Sequence, residues 1–143
     1  MPSASVPLAD LGSVLAAYPA VSLAYLFGSA ASGHLTPLSD VDIALVTDPQ
    51  LPPRDRLRLE LAAADALAQH CGLDNADVRV INEAPVMLRG QVVTEGRLLL
   101  ARDEVARVEF ETRTRSDYFD FSPVAEQLRK AFFADVLQRG LHG

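Results

Sequence analysis

Gly28-Ser29 and, ten residues later, Asp40-Val41-Asp42 are the residues of this chain whose types and spacing could do chemistry. The Gly-Ser pair closes an apolar run, Val21 to Phe27, and the Asp-x-Asp opens a second one, Val41 to Val46. Successive side chains of an extended strand point to opposite faces, so Asp40 and Asp42 share one face. Two neighbouring carboxylates repel and raise each other's pKa unless a cation lies between them. Paired acidic oxygens suit a hard divalent ion, above all Mg2+ that takes phosphate oxygens as its remaining ligands. Gly28 lets the backbone approach a phosphate without a Cβ, and Ser29 adds a hydroxyl. Together these residues describe a metal-assisted site for a nucleoside triphosphate. Singly, each has a plainer reading, as a turn, a loop end or a helix cap. Jointly they do not, because a chance match in a chain of this length is on the order of one in a thousand.

Two apolar runs of strand length must hold these residues, and the surrounding pattern supplies the rest of the frame. Leu8, Leu11, Leu15 and Tyr18 recur at helical spacing over 8–18, ahead of Pro19. Val21 to Phe27 and Val41 to Thr47 read as strands. A helix over 54–71 carries Leu57, Leu61, Ala64 and Leu67 as its stripe, with Gly72 as its C-cap. A third strand follows over 77–82, then a helix from Pro85 to about Glu95, stopped by Gly96. Arg97 to Ala101 reads as a short edge strand. Beyond Asp103 the pattern predicts a helix over 103–119, a break near Ser122-Pro123 and a last helix over 124–139.

At 143 residues and 49% hydrophobic content the chain suits one domain over 1–143 with a real core, its 103–143 segment a helical extension. A net charge of −6 argues against a long contact with a nucleic acid backbone. Cys71 is the only cysteine, which excludes an intramolecular disulfide and a cysteine zinc site, and points to a reduced cytoplasm. No signal-peptide pattern and no membrane-length apolar run is present.

The Gly-Ser, ten-residue, Asp-x-Asp pattern resembles the signature of the DNA polymerase β superfamily of nucleotidyltransferases, and the small size resembles its minimal (MNT) branch. Asp77-Val78-Arg79-Val80-Ile81-Asn82 followed by Ala84-Pro85 resembles the strand of the third aspartate and its turn, and Glu95-Gly96-Arg97-Leu98-Leu99 the last strand. The segment Arg107 to Pro123, with Phe110-Glu111 and Tyr118-Phe119-Asp120-Phe121, resembles the tail of MNT antitoxins partnered with HEPN-domain toxins. One departure is the loop Ala30-Ala31-Ser32, where relatives often carry an Arg.

The resemblance implies an α/β fold, a small mixed sheet flanked by helices in the manner of a polymerase β palm, with additional C-terminal helices. It implies transfer of AMP from ATP to a tyrosine of a HEPN ribonuclease toxin, in a cytoplasmic hetero-oligomer with that toxin and without nucleic acid or membrane. Asp40, Asp42 and Asp77 would hold two Mg2+ ions, and Gly28, Ser29 and Ser39 would line the ATP site. For the third carboxylate Asp74 competes with Asp77; strand phase with Arg79 and Ile81 favours Asp77. His34 lies in the phosphate loop as a possible substrate contact, whereas His70 at a helix end reads as a dipole partner. The aromatic residues of the tail divide between core and partner interface. Two alternatives are a small-molecule, antibiotic-type nucleotidyltransferase and an antitoxin that acts by binding alone.

Overall fold

The computed structural model describes residues 6–28 and 40–139. In chain order the elements are α1 (Leu8–Leu15), β1 (Val21–Phe27), β2 (Val41–Thr47), α2 (Pro53–Cys71), β3 (Ala76–Val80), α3 (Val86–Glu95), β4 (Arg97–Ala101) and α4 (Glu104–Arg139). The strands form one mixed sheet in the order β3-β2-β1-β4. β1 runs antiparallel to β2 and β4, while β2 and β3 are parallel. A parallel pair needs a crossover, and α2 provides it. The expected α/β architecture and edge position of β4 are both found.

Each face of the sheet has its own core. Leu26, Ile43 and Leu45 bury one face against Leu11 and Leu15 of α1 and Leu59 and Leu67 of α2. Leu23, Tyr25, Ala44 and Ile81 bury the other against Val92 of α3, with Phe110 of α4 alongside. A bulge between Val21 and Leu23 shifts the register with β2. It lets Val21 and Ala24 face the same core although strict alternation would separate them. Gly72, with φ of 70°, ends α2 in the left-handed conformation expected of it. Arg102 closes the turn into β1 by donating to the carbonyls of Val21, Ala16 and Tyr18 at 2.6–2.8 Å.

The expected break at Ser122-Pro123 is absent. α4 is one helix of 36 residues with Pro123 inside it, about 54 Å long at the usual rise. A proline removes one helical hydrogen bond, here to the carbonyl of Phe119, and crowds that carbonyl. Pro123 lies on an exposed side of the helix, so the orphaned carbonyl can be hydrated. The helix-forming residues on both sides carry the turn through. α1 is also shorter than its apolar spacing suggests, since 16–17 form a turn before Pro19.

α4 is tied to the sheet by a polar contact that no local pattern announces. Tyr25, in the centre of β1, donates a 2.7 Å hydrogen bond to Oε2 of Glu111, 86 residues away. Glu111 is only 8% exposed and its other oxygen accepts from Arg107 at 2.9 Å. Burial, reinforced by the Glu111 carboxylate, pushes the Tyr25 hydroxyl far above its usual pKa, so it remains a donor at any physiological pH. Tyr25→Phe leaves a buried carboxylate oxygen without its donor and is expected to cost about 1–3 kcal/mol. Urea unfolding checks this through a lower midpoint at unchanged slope; an unchanged midpoint would show that Arg107 suffices. Tyr118 packs so closely on Gly90 of α3 that a Cβ there would collide with its ring. Tyr118 therefore belongs to the α3–α4 seam. Among the described residues no helix is long and apolar enough to cross a membrane.

Candidate active site

The catalytic candidates gather where β1 ends and β2 and β3 begin. Phe27, the last residue of β1, pairs with Asp42, and on the other side of β2 Asp42 pairs with Asp77. Cα atoms paired across adjacent strands lie roughly 5 Å apart. The parallel β2–β3 ladder thus brings together two carboxylates separated by 35 positions in the chain. Asp40 is exposed immediately before β2 and shares the face of Asp42 by strand alternation. Asp74 lies outside β3, in the turn that precedes it.

Gly28 follows β1 with φ of +79°, a conformation that L side chains rarely adopt. A Cβ built on it would stand 2.5 Å from Oδ2 of Asp42. The turn and the Asp42 carboxylate are therefore in direct apposition, and only glycine fits between them. This answers whether the residues suit a metal-bound triphosphate: hard oxygen donors lie against a backbone stripped of side-chain bulk. Ser29, His34 and Ser39 lie outside the described residues, as do all of residues 29–39.

Asp77 is half-exposed and engaged by Arg79, whose Nη2 and Nε approach the same oxygen at 3.0 and 3.1 Å. Among the described residues no three acidic, histidine or cysteine side chains converge closely enough to hold an ion. The geometry thus joins Asp42 to Gly28 and aligns Asp77 with Asp42, while the Asp77 carboxylate turns to Arg79. Sequence reading used Arg79 only to set strand phase. Its signal was the Asp-x-Arg spacing, which puts both side chains on one face. An ion pair this exposed contributes only about 0.2–1 kcal/mol, so a divalent cation can displace it.

Asn82 is a second residue that sequence reading passed over. Its side chain accepts from the Thr47 amide at 2.9 Å and donates to the Thr47 carbonyl at 2.8 Å. That clasp extends the β2–β3 pairing beyond the last residue of β3 and helps hold the register that aligns Asp42 with Asp77.

Comparison with known proteins places the chain in a family. The family described as Polymerase beta, Nucleotidyltransferase matches residues 10–105, which include every catalytic candidate. A chain in a toxin–antitoxin complex with AMP-PNP is 28% identical with a TM-score of 0.64, over 91% of this chain and 98% of that one. A chain in a complex of a tri-AMPylated Shewanella oneidensis HEPN toxin with an MNT antitoxin is 28% identical with a TM-score of 0.58, over 87% and 91%. A chain in a variant MntA-HpeT toxin–antitoxin complex is 30% identical with a TM-score of 0.62, over 87% and 93%. No curated protein matches the chain by sequence. With Asp42 set against a glycine turn and its matched span running from α1 to α4, the chain belongs to the polymerase β nucleotidyltransferase family.

Proposed function

We propose that this protein transfers AMP from ATP to a tyrosine hydroxyl of a HEPN-domain toxin and thereby neutralises it. The observation that supports this most is the apposition of Asp42 with Gly28 on one side and with Asp77 on the other. In this reading Asp40, Asp42 and Asp77 hold two Mg2+ ions, and Gly28, Ser29 and Ser39 receive the triphosphate. When bound, the ions would offset charge on the phosphates and favour loss of the acceptor's proton. Gly28 leaves room for the phosphates to approach the backbone. Asp42 would hold an ion against that turn, which would offset the repulsion between its carboxylate and the phosphates, and Asp77, once released by Arg79, would orient the acceptor hydroxyl. The acceptor oxygen attacks the α-phosphorus, the bond to the β-phosphate breaks, and pyrophosphate leaves. The hydroxyl proton departs on the Asp77 side.

The partner follows from the complexes of similar chains, which pair MNT antitoxins with HEPN toxins. A surface for it is offered by α4. Phe119 is 72% exposed, whereas Phe121 is partly covered. The side chains of Phe132 and Phe133 lie outside the described set. An exposed aromatic of this size suits a hot spot. Phe119→Ala is expected to leave thermal stability nearly unchanged, as surface truncations do. It should weaken toxin binding at least tenfold while ATP binding stays as in the wild type. Calorimetry on the variant, with toxin and with ATP, checks both; a large fall in melting temperature would return Phe119 to the core. Incubation with α-labelled ATP, toxin and a set of hydroxylated small molecules tests the acceptor class. Label confined to toxin supports the proposal, and label on an antibiotic-type acceptor replaces it.

A further inference from the structure

At the end of the sheet opposite the aspartates, a groove of about 400 Å³ opens between β1, β2, α2, α3 and α4. It begins beside Thr47, five residues along β2 from Asp42 and so roughly 16 Å from the catalytic candidates. Its volume falls in the range of small-molecule sites. The apolar part of the lining is Leu23, Val46, Pro49, Ala106 and Phe110, and Thr47 and Thr114 lie almost fully buried at its base.

Three arginines from three different helices line this one groove, in a protein of net charge −6. Arg56 is fully engaged, with Glu83 and with the carbonyls of Leu51 and Pro49. The other two are not. Arg89 of α3 donates only its Nε, to the Ala84 carbonyl. Among the described residues neither its two terminal nitrogens nor Arg113 of α4 has a hydrogen-bonding or ion-pairing partner. Glu109 is the remaining carboxylate of the lining and forms no ion pair with either among the described residues. Arg89 is shared with a shallower groove that Asp117 and Asp120 line, which makes Arg113 the principal anchor. Two guanidiniums that line one groove, with donors left without a partner among the described residues, suit an oxyanion, which accepts charge-assisted hydrogen bonds from both.

We infer that this groove is a second ligand site, built to take a small organic oxyanion, a carboxylate or a phosphate monoester, on a flat apolar body. The body would lie on Phe110 and Val46, both only partly buried, and the oxyanion between Arg113 and Arg89, bridging α4 to α3. The site is independent of AMP transfer, so it stands or falls apart from the proposed function.

The test uses the full-length protein and three probes of one shape: phenyl phosphate, benzoate and benzyl alcohol. Titration by NMR or calorimetry is expected to show saturable binding of phenyl phosphate, of benzoate or of both, and none of the neutral alcohol. Preference between the two anions identifies the oxyanion. Arg113→Met, which keeps the apolar stem, should weaken that binding at least tenfold. Arg113→Lys, which keeps the charge but loses the fork, should fall between; it also serves if the Met variant fails to fold. No anion binding by the wild type at millimolar concentration would overturn the inference. Binding unchanged in the Arg113 variants, or an alcohol that binds as well as the anions, would overturn it equally.

Discussion

Asp42→Asn is expected to abolish nucleotidyl transfer while leaving the fold intact. The substitution keeps the volume that packs against Gly28 and the register with Phe27 and Asp77. It removes one charged oxygen from the carboxylate that lies against the Gly28 turn. Under the proposed function Asp42 is shared by two metal ions, and its loss would forfeit several kcal/mol of transition-state stabilisation, so the rate should fall about a thousandfold or more. Without metal, the neutral amide also relieves repulsion toward Asp40, so the variant should melt no lower than the wild type. Label transfer from α-labelled ATP and a thermal melt check the two halves together. Retained transfer in a folded variant would remove Asp42 from the machinery.

The second large effect is expected at Gly28→Ala. At φ of +79° an alanine is strained by about 1–2 kcal/mol. Its Cβ would also sit within 2.5 Å of Asp42 Oδ2. One of the two must move, and the short Asp42 side chain is the one free to turn away. A displacement of about 1 Å at a reacting centre costs on the order of a hundredfold in rate. The expected outcome is a fall of at least that size in transfer, with weaker ATP binding and a modest drop in melting temperature. Wild-type ATP affinity in calorimetry would show that the triphosphate does not use this turn.

The contrast between these sites and the rest of the molecule shows what can be read from the chain alone. Strands β1 and β2 follow from continuous apolar runs, and the shared face of the Asp-x-Asp from period two. The 3.6 period placed α2 but not its buried face: Leu57 and Leu61 of the expected stripe are exposed, and Leu59 and Ala63 are buried beside Leu67 instead. Gly28 was legible because its Gly-Ser pair stands ten residues ahead of an Asp-x-Asp; alone it reads as a simple turn. The alignment of Asp77 with Asp42 depends on the parallel register of β2 with β3, which the Asn82 clasp on Thr47 helps to fix. The hydrogen bond of Tyr25 to Glu111 spans 86 positions. Neither leaves a local trace. Pro123 misled because proline is a strong breaker on average, yet one lost hydrogen bond at an exposed position is offset by the helix on both sides. The hold of Arg79 on Asp77 is a contest between partners for one carboxylate. Only side-chain geometry can decide that.

The central claim is that this chain adds AMP to its partner. The most direct test is to incubate it with Mg2+, ATP and a purified HEPN-domain toxin and to map the toxin by mass spectrometry. The account predicts adenylylated tyrosine on the toxin, pyrophosphate released in step with it, and neither with the Asp42→Asn chain. A toxin that forms the complex and loses its ribonuclease activity while every tyrosine remains unmodified would contradict it, and would assign neutralisation to binding alone.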